Sequence, residues 1–400
     1  MKLAARAEDA APPLRWPCYD ERQIAAVTDV LRSGRVNAWT GPHVSDFERR
    51  FATYLGRRHA IAVANGSLAL DLALHALGIG PGDEVIVTPR SFVASAACVA
   101  LAGARPIFAD IDRDSQNLTA DTIAATVTER TRAVIVVHLA GWPCEMEPIM
   151  RLAGRHGFAV IEDCAQAHGA EIAGRPVGSF GDAAVFSFCQ DKIISTGGEG
   201  GLVAMDDGAL FERAWSMKDH GKSPERMRVP DPSPGFRWLH GSFGTNMRMT
   251  ALQAVIGSVQ LDLLPDWRAA RAENAAVLLE GLVGSPAVRV PRPPVPLRHA
   301  HYRLYAFAVP EAMERGWTRD RVVAEVSAAG VPCFQGSCPE VYLEDCFREA
   351  GFGPAERLPV ARELGETSLA FLVDPSIPRA EQRVRARIVR EVLDRACGQD

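Results

Sequence analysis

Several features that would direct a reading toward a function class are missing from this 400-residue chain. No apolar run approaches the roughly 20 residues of a membrane-spanning helix. No basic excess exists: 44 Lys and Arg stand against 49 Asp and Glu, a net charge of −5, so neither nucleic acid nor an anionic membrane surface is an expected partner. The nine cysteines contain no Cys-x-x-Cys motif, and the closest two are Cys333 and Cys338. That excludes a zinc-finger framework, and an odd scatter of thiols reads as free cysteines in a cytoplasmic protein. The first nine residues carry acids and no apolar segment, unlike a secretory signal. No Gly-x-Gly-x-x-Gly follows the first strand, which argues against a nicotinamide-dependent oxidoreductase. Gly78-Ile79-Gly80-Pro81-Gly82 follows a helix instead and reads as a turn. There is no internal repeat.

What is present is a hydrophobic fraction of 47% with 23% charged residues, enough for one large core and a smaller second one. Residues 1–19 are Ala- and Pro-rich and are expected to form a loosely held arm. Helices are expected over 20–31 and 44–55. From Ala60 onward, short Val/Ile/Ala runs alternate with helical periodicity: strands at 60–64, 84–88, 105–111, 133–139 and 158–161, helices at 68–77, 91–103, 119–127 and 145–156. Near-continuous apolar strands separated by helices imply an α/β domain with a mostly parallel sheet covered on both faces. Further strands are expected at 183–188 and 201–205. Residues 221–235 lack periodicity and are expected to be a mobile loop. A helix over 250–264, a boundary at Pro265 and a second helix over 267–282 divide a large domain (20–265) from a smaller α+β domain (266–400). A strand at 301–309, helices at 321–329 and 382–396, and a loop at 332–342 able to close over the site complete the second domain.

Ligands of such sheets bind beyond the carboxyl ends of the strands, so the residues just past each strand carry the chemistry. Asn65-Gly66-Ser67 turns into a helix N-terminus, which suits a phosphate and equally suits an ordinary cap. Phe92 places an aromatic ring past the second strand. Glu162 and Asp163 end an apolar strand. A salt bridge or cap accounts for Glu162, whereas Asp163 asks for a cationic partner. His138 and His168 read as core histidines rather than metal ligands, and no metal is expected. Ser187 stands on an outgoing strand, five residues before Lys192. Lys192 sits in half-apolar company beside Asp191, ahead of the glycine-dense Gly197-Gly198-Glu199-Gly200-Gly201. Enclosure should lower its pKa and make its amine a nucleophile able to form a Schiff base with an aldehyde cofactor. His299, His301 and Arg303 form a basic cluster, facing either a pyrophosphate or solvent.

Taken together, Gly66-Ser67, Phe92, Asp163-x-x-Gln166, Ser187-x4-Lys192, the glycine turn and Asn246-x-Arg248 resemble the DegT/DnrJ/StrS family of pyridoxal-phosphate sugar aminotransferases. The resemblance runs from about Asp20 to the C-terminus. It implies the aspartate-aminotransferase-like fold (fold type I) and pyridoxal 5′-phosphate as cofactor. It also implies Lys192 as the Schiff-base lysine and Asp163 as partner of the pyridine nitrogen. Phe92 would stack on the ring, and Gln166 would sit near the cofactor's phenolic oxygen. Gly66, Ser67 and Ser187 would hold the phosphate, and Asn246 would reach the neighbouring subunit's phosphate in a homodimer.

Two positions depart from the common pattern: Cys189 and Ile193 stand where many relatives carry His or Tyr and Asn. The expected reaction is ping-pong transfer of an amino group from glutamate or glutamine to the keto group of a nucleotide-linked sugar. Alternatives are a keto-cyclitol acceptor, an aminohydroxybenzoate-type synthase, or a non-catalytic cofactor-binding regulator.

Overall fold

The computed structural model describes residues 16–230 and 235–399. Residues 1–15 of the expected arm and 231–234 of the expected loop lie outside the described residues. Seven strands form the large sheet: β1 (His59–Val63), β2 (Glu84–Val87), β3 (Arg105–Phe108), β4 (Thr131–Val137), β5 (Ala159–Asp163), β6 (Ala183–Ser187) and β7 (Gly201–Met205). Their spatial order is β1-β7-β6-β5-β4-β2-β3. Strands β2 to β6 run parallel, while β7 is antiparallel to both β1 and β6. This is the mostly parallel α/β sheet expected from the continuous apolar strands.

Helices α1 (Glu21–Ser33), α2 (His43–Leu55), α3 (Gly66–Leu77), α4 (Ala94–Leu101), α5 (Met146–His156) and α6 (Gly208–Lys218) accompany this sheet. One core joins α3 and α4 to the sheet through Leu70, Leu74, Val99, Val85 and Val203. On the other face Phe47 and Phe51 of α2 meet Phe186 and Phe188 edge to face. Helix α4 begins at Ala94 rather than near Ser91. Thr88 Oγ1 accepts the Arg90 N–H at 3.2 Å, and the Ser91 and Ser95 hydroxyls bond at 2.9 Å. These local side-chain bonds compete with the first helical turn and leave residues 88–93 as a loop beyond β2.

The expected pair of helices around Pro265 is one continuous helix, α7 (Ala251–Leu282), with the proline inside it. An interior proline costs about 3 kcal/mol or more, because the carbonyl four residues back loses its donor. Leu261 and Leu264 are buried in a core against the large sheet, and Leu278 and Leu282 in a core against a second, smaller sheet. At roughly 1.5–3 kcal/mol per buried leucine, packing on both cores outweighs the proline. The small sheet is wholly antiparallel: β8 (Val288–Arg289), β9 (Leu304–Ala308), β10 (Cys333–Phe334) and β11 (Ser368–Phe371), in the order β8-β9-β11-β10. Helices α8 (Arg319–Ala328) and α9 (Arg379–Ala396) cover it. The segment expected to be a loop contains a short helix, Pro224–Arg228, capped by Ser223. Among the described residues no helix is long and apolar enough to cross a membrane.

Candidate active site

The carboxyl ends of β1, β2, β5 and β6 open onto one cavity of about 640 Å³. Gly66, Ser67, Phe92, Asp163, Gln166, Ser187 and Lys192 all line it. Asn246, the remaining predicted residue, is exposed and lies elsewhere, bridged to Asp219. A second cavity of about 660 Å³ shares Ser91, Phe92, Gln166, Asp191 and Lys192 with the first. Its far wall comes from β9, β10 and their flanking turns: Tyr302, Arg303, Tyr305, Phe334, Ser337 and Cys338 are among its lining. The loop expected to close over the site therefore supplies part of this wall.

At one end of the first cavity stands the N-terminus of α3. Asn65 caps it, its side chain accepting the Leu68 N–H at 2.9 Å. The preceding amides of Gly66 and Ser67 are orphan donors of the first turn, aligned with the helix dipole. Gly66 is required by close approach: a Cβ there would lie 2.6 Å from Ser187 Cβ and 3.0 Å from its Oγ. Strand β6 and the helix end thus meet without room for a methyl group.

Asp163 forms the floor, 4% exposed at the end of β5. Its Oδ2 accepts from Ser95 Oγ at 2.8 Å and its Oδ1 from the Ala165 N–H at 3.1 Å. Burial nevertheless pushes its pKa up, against those two bonds and the nearby Lys192 charge. Ser95, itself bonded to Ser91, was not singled out in the sequence; its position in the α4 register was the available signal. Gln166 Oε1 accepts the Ala140 N–H at 2.8 Å, which orients the amide and leaves its NH₂ toward the cavity.

Lys192 is placed by its backbone. Its N–H donates to Cys189 O at 3.0 Å, and its carbonyl accepts from Trp16 Nε1 at 2.9 Å. Trp16 is buried against Trp267, so the end of the N-terminal arm is a structural strut rather than loosely held. The Lys192 pKa is the reverse of the expected direction. Burial lowers it, but Tyr302 and Asp191 outweigh burial and the net shift is upward from the ordinary value. Burial pushes the Tyr302 phenol upward as well, so near neutral pH it keeps its proton and donates it in a hydrogen bond to Asp191. Asp191, 3.4 Å from Nζ, is then the anion that holds the ammonium.

The neighbouring polar groups are structural. Glu162 accepts N–H bonds from Gly178, Phe180 and Gly181, each at 2.7 Å, and one from His138 Nε2 at 3.1 Å. Burial pushes its carboxyl up, but the His138 bond and the Gly181 and Gly178 amides outweigh burial and hold it below the usual value. Buried Arg57 reinforces the same loop, bonding Gly178 O and Gly181 O and lying 3.6 Å from Glu162. His138, Glu162 and Cys164 offer ligand atoms within 4.8 Å of one another. All are committed elsewhere: His138 Nδ1 accepts the Cys144 N–H, and burial holds the Cys164 thiol protonated, far above its ordinary pKa.

Two parts of the expected basic cluster are not basic. His299 and His301 are stacked at 4.4 Å. Burial pushes both down, His301 to about 4. Arg303 alone of the three lines the second cavity.

The chain matches the model of the DegT/DnrJ/EryC1/StrS aminotransferase family over residues 17–390. It is 40% identical over 292 residues to GDP-perosamine synthase of Caulobacter vibrioides, covering 73% of this chain and 75% of that protein. It is 34% identical to dTDP-3-amino-3,4,6-trideoxy-alpha-D-glucose transaminase of Streptomyces venezuelae, covering 98% of this chain and 99% of that one. The crystal structure of an aminotransferase from Psychrobacter cryohalolentis superposes with a TM-score of 0.93 at 48% identity, covering 95% of this chain and 98% of that one.

Proposed function

The chain belongs to the DegT/DnrJ/EryC1/StrS aminotransferase family and is a pyridoxal-phosphate-dependent aminotransferase, and we propose that it transfers an amino group from glutamate or glutamine to the keto group of a nucleotide-linked sugar. The observation that carries this reading is the convergence of a helix N-terminus, a buried carboxylate and an enclosed lysine on one cavity, beside a second cavity large enough for an acceptor. The relatives named for nucleotide-sugar products support the acceptor class.

The residues fit the cofactor. The Gly66–Ser187 approach leaves a methyl-free cradle beside two orphan N–H groups, suited to a phosphate dianion. Asp163, pushed up by burial, is a carboxylate in need of a cation, and a protonated ring nitrogen is one. When bound, pyridoxal phosphate supplies an aldehyde that captures amines and a ring that accepts electrons. In this reading Gly66, Ser67 and Ser187 hold the phosphate, Phe92 covers the ring and the Gln166 NH₂ faces its phenolic oxygen. Asp163 keeps the ring nitrogen protonated, stabilising charge where it develops. Lys192 Nζ takes up the α-proton of the donor and gives it back, and the same amine serves both half-reactions, so kinetics are ping-pong. We place the enzyme in the cytoplasm.

The reading includes a homodimer with Asn246 reaching the neighbouring subunit's phosphate. Phe236, Trp238 and Phe243 on the segment leading to Asn246 are 75%, 80% and 99% exposed, a face that a second copy would cover.

The test is the visible spectrum of the purified enzyme. Glutamate or glutamine should remove the aldehyde-form band, and a nucleotide-linked keto-sugar should restore it. Restoration by a keto-cyclitol alone would move the acceptor class, and a band unmoved by either donor would overturn the proposal.

A further inference from the structure

Asp191 occupies an unusual place for a carboxylate. It is half-exposed, it borders both cavities, and each of its oxygens lies 3.4 Å from Lys192 Nζ. Its Oδ2 also accepts the Tyr302 hydroxyl. The Tyr302 ring lies beneath the ammonium, 5.1 Å from Nζ to the centroid, and the Arg303 guanidinium lies 4.3 Å from the same centroid. Three groups from two domains thus enclose one amine.

The delivery of Tyr302 is built with care. The turn before β9 carries His301 at φ 53, a left-handed backbone that a non-glycine residue adopts only when its surroundings impose it. Here they do. The Ala300 N–H donates to Gly141 O at 2.8 Å and the Tyr302 N–H to Ala140 O at 2.9 Å. Buried Arg271 of α7 holds the His301 carbonyl at 3.3 Å. The same Ala140 is bonded by Gln166, so the wall of the cofactor cavity and the Tyr302 turn share a support.

We propose that Asp191 and Tyr302 are positioning residues that hold the released Lys192 ammonium at the junction of the two cavities. This rests on the reading of Lys192 as the exchanging amine. When the donor's α C–H bond breaks, its electron pair goes to the electron-accepting ring and the proton goes to Nζ. The neutral amine becomes an ammonium, and the carboxylate beside it keeps the proton within reach for its return. Other titratable or charged groups facing Nζ are Asp163 at the end of β5, His168 behind it, Cys189 and Glu199 on its own segment, and Arg303. His168 is pushed down to about 3 and is neutral. Burial raises the Cys189 thiol, which stays uncharged. Asp163 is committed to the cofactor side, and Arg303 opposes the ammonium rather than holding it.

The test uses protein loaded with pyridoxamine 5′-phosphate, in which the Lys192 amine is free. Trace acetylation with acetic anhydride across a pH series, read by peptide mass spectrometry, gives the midpoint of Lys192. Asp191→Asn should lower that midpoint by about one unit or more, raising labelling roughly tenfold at a fixed pH below both midpoints. Asp191→Glu should restore most of the shift, and Tyr302→Phe should lower the midpoint as well. In turnover, Asp191→Asn should reduce kcat with little change in KM for the donor. A Lys192 midpoint in Asp191→Asn within about 0.3 units of the unmodified enzyme overturns the proposal. The underlying reading fails separately: Lys192 would then label equally in protein loaded with pyridoxal 5′-phosphate and with pyridoxamine 5′-phosphate.

Discussion

Replacing Glu162 by Gln changes almost no volume, yet it should be among the most damaging substitutions away from the cofactor. Oε1 accepts from the Phe180 and Gly181 amides, and Oε2 accepts from the Gly178 amide and His138 Nε2. A glutamine can offer oxygen to only one pair. With its oxygen toward Phe180 and Gly181, its NH₂ meets two donors. His138 cannot relieve this by moving its proton, because Nδ1 already accepts the Cys144 N–H at 2.9 Å. Two buried donors are left without acceptors, at about 1–3 kcal/mol each, so the loss is roughly 2–6 kcal/mol. Spread over 400 residues at about 2.1 cal/mol/K per residue, that lowers Tm by roughly 2–7 °C. The assay is calorimetric melting at fixed protomer and cofactor concentration, since both shift Tm by mass action. The pH dependence has a definite sign. The folded carboxyl lies below its ordinary value of 4.5, so its contribution is complete above that pH and fades as pH falls toward the folded value. The gap between the two proteins should therefore be full near neutrality and narrow in acid. A Tm loss below about 1 °C at neutral pH would refute the hydrogen-bond accounting.

Other outcomes follow from the site. Lys192→Ala should abolish turnover while the protein still binds the cofactor; near-full turnover would sink the assigned role. Asp163→Asn keeps shape and the Ser95 bond but removes the charge, and kcat should fall by roughly 10²–10³ as for other lost electrostatic partners; an unchanged kcat would remove Asp163 from the chemistry. Gly66→Ala drives a methyl into Ser187, and equilibrium dialysis should show weaker pyridoxal phosphate binding while melting of the cofactor-free protein changes less. Mixing Lys192→Ala with Asn246→Ala subunits should restore activity neither has alone, because one site of the hybrid receives both native residues; no recovery after subunit exchange would argue against a shared site.

Much of the large domain was legible because its strands are buried on both faces, so their apolar runs stand out between helices. The gathering of polar groups around the first cavity was legible for a related reason. Asp163, Ser187 and Lys192 are polar groups at the ends of such strands, where burial demands an explanation. What escaped the sequence depends on contacts between distant segments. Asp191 and Tyr302 lie 111 residues apart, and their pairing reverses the expected direction of the Lys192 pKa. His299 and His301 looked basic, but their burial and mutual stacking were not encoded in spacing. Pro265 looked like a boundary because the chain rule for proline is local, whereas the packing that overrides it comes from two cores. The two-residue strands Glu171–Ile172, Arg175–Pro176 and Leu297–Arg298, which form a separate ribbon, are too short to carry any periodicity.

The lining of the first cavity is scattered over separate segments between Asn65 and Glu199, which only the folded sheet brings together. Strand β7, which seats β1 beside β6, must be in place before Gly66 can face Ser187. A partly folded chain therefore has the lysine but not the Gly66–Ser187 approach, so a ligand that needs both binds only the finished sheet. Ligand that binds the finished state alone adds about 2.7 kcal/mol when present at a hundredfold over its dissociation constant. Under the proposed reading, cofactor supply therefore sets how stable the folded protein is as well as how fast it turns over.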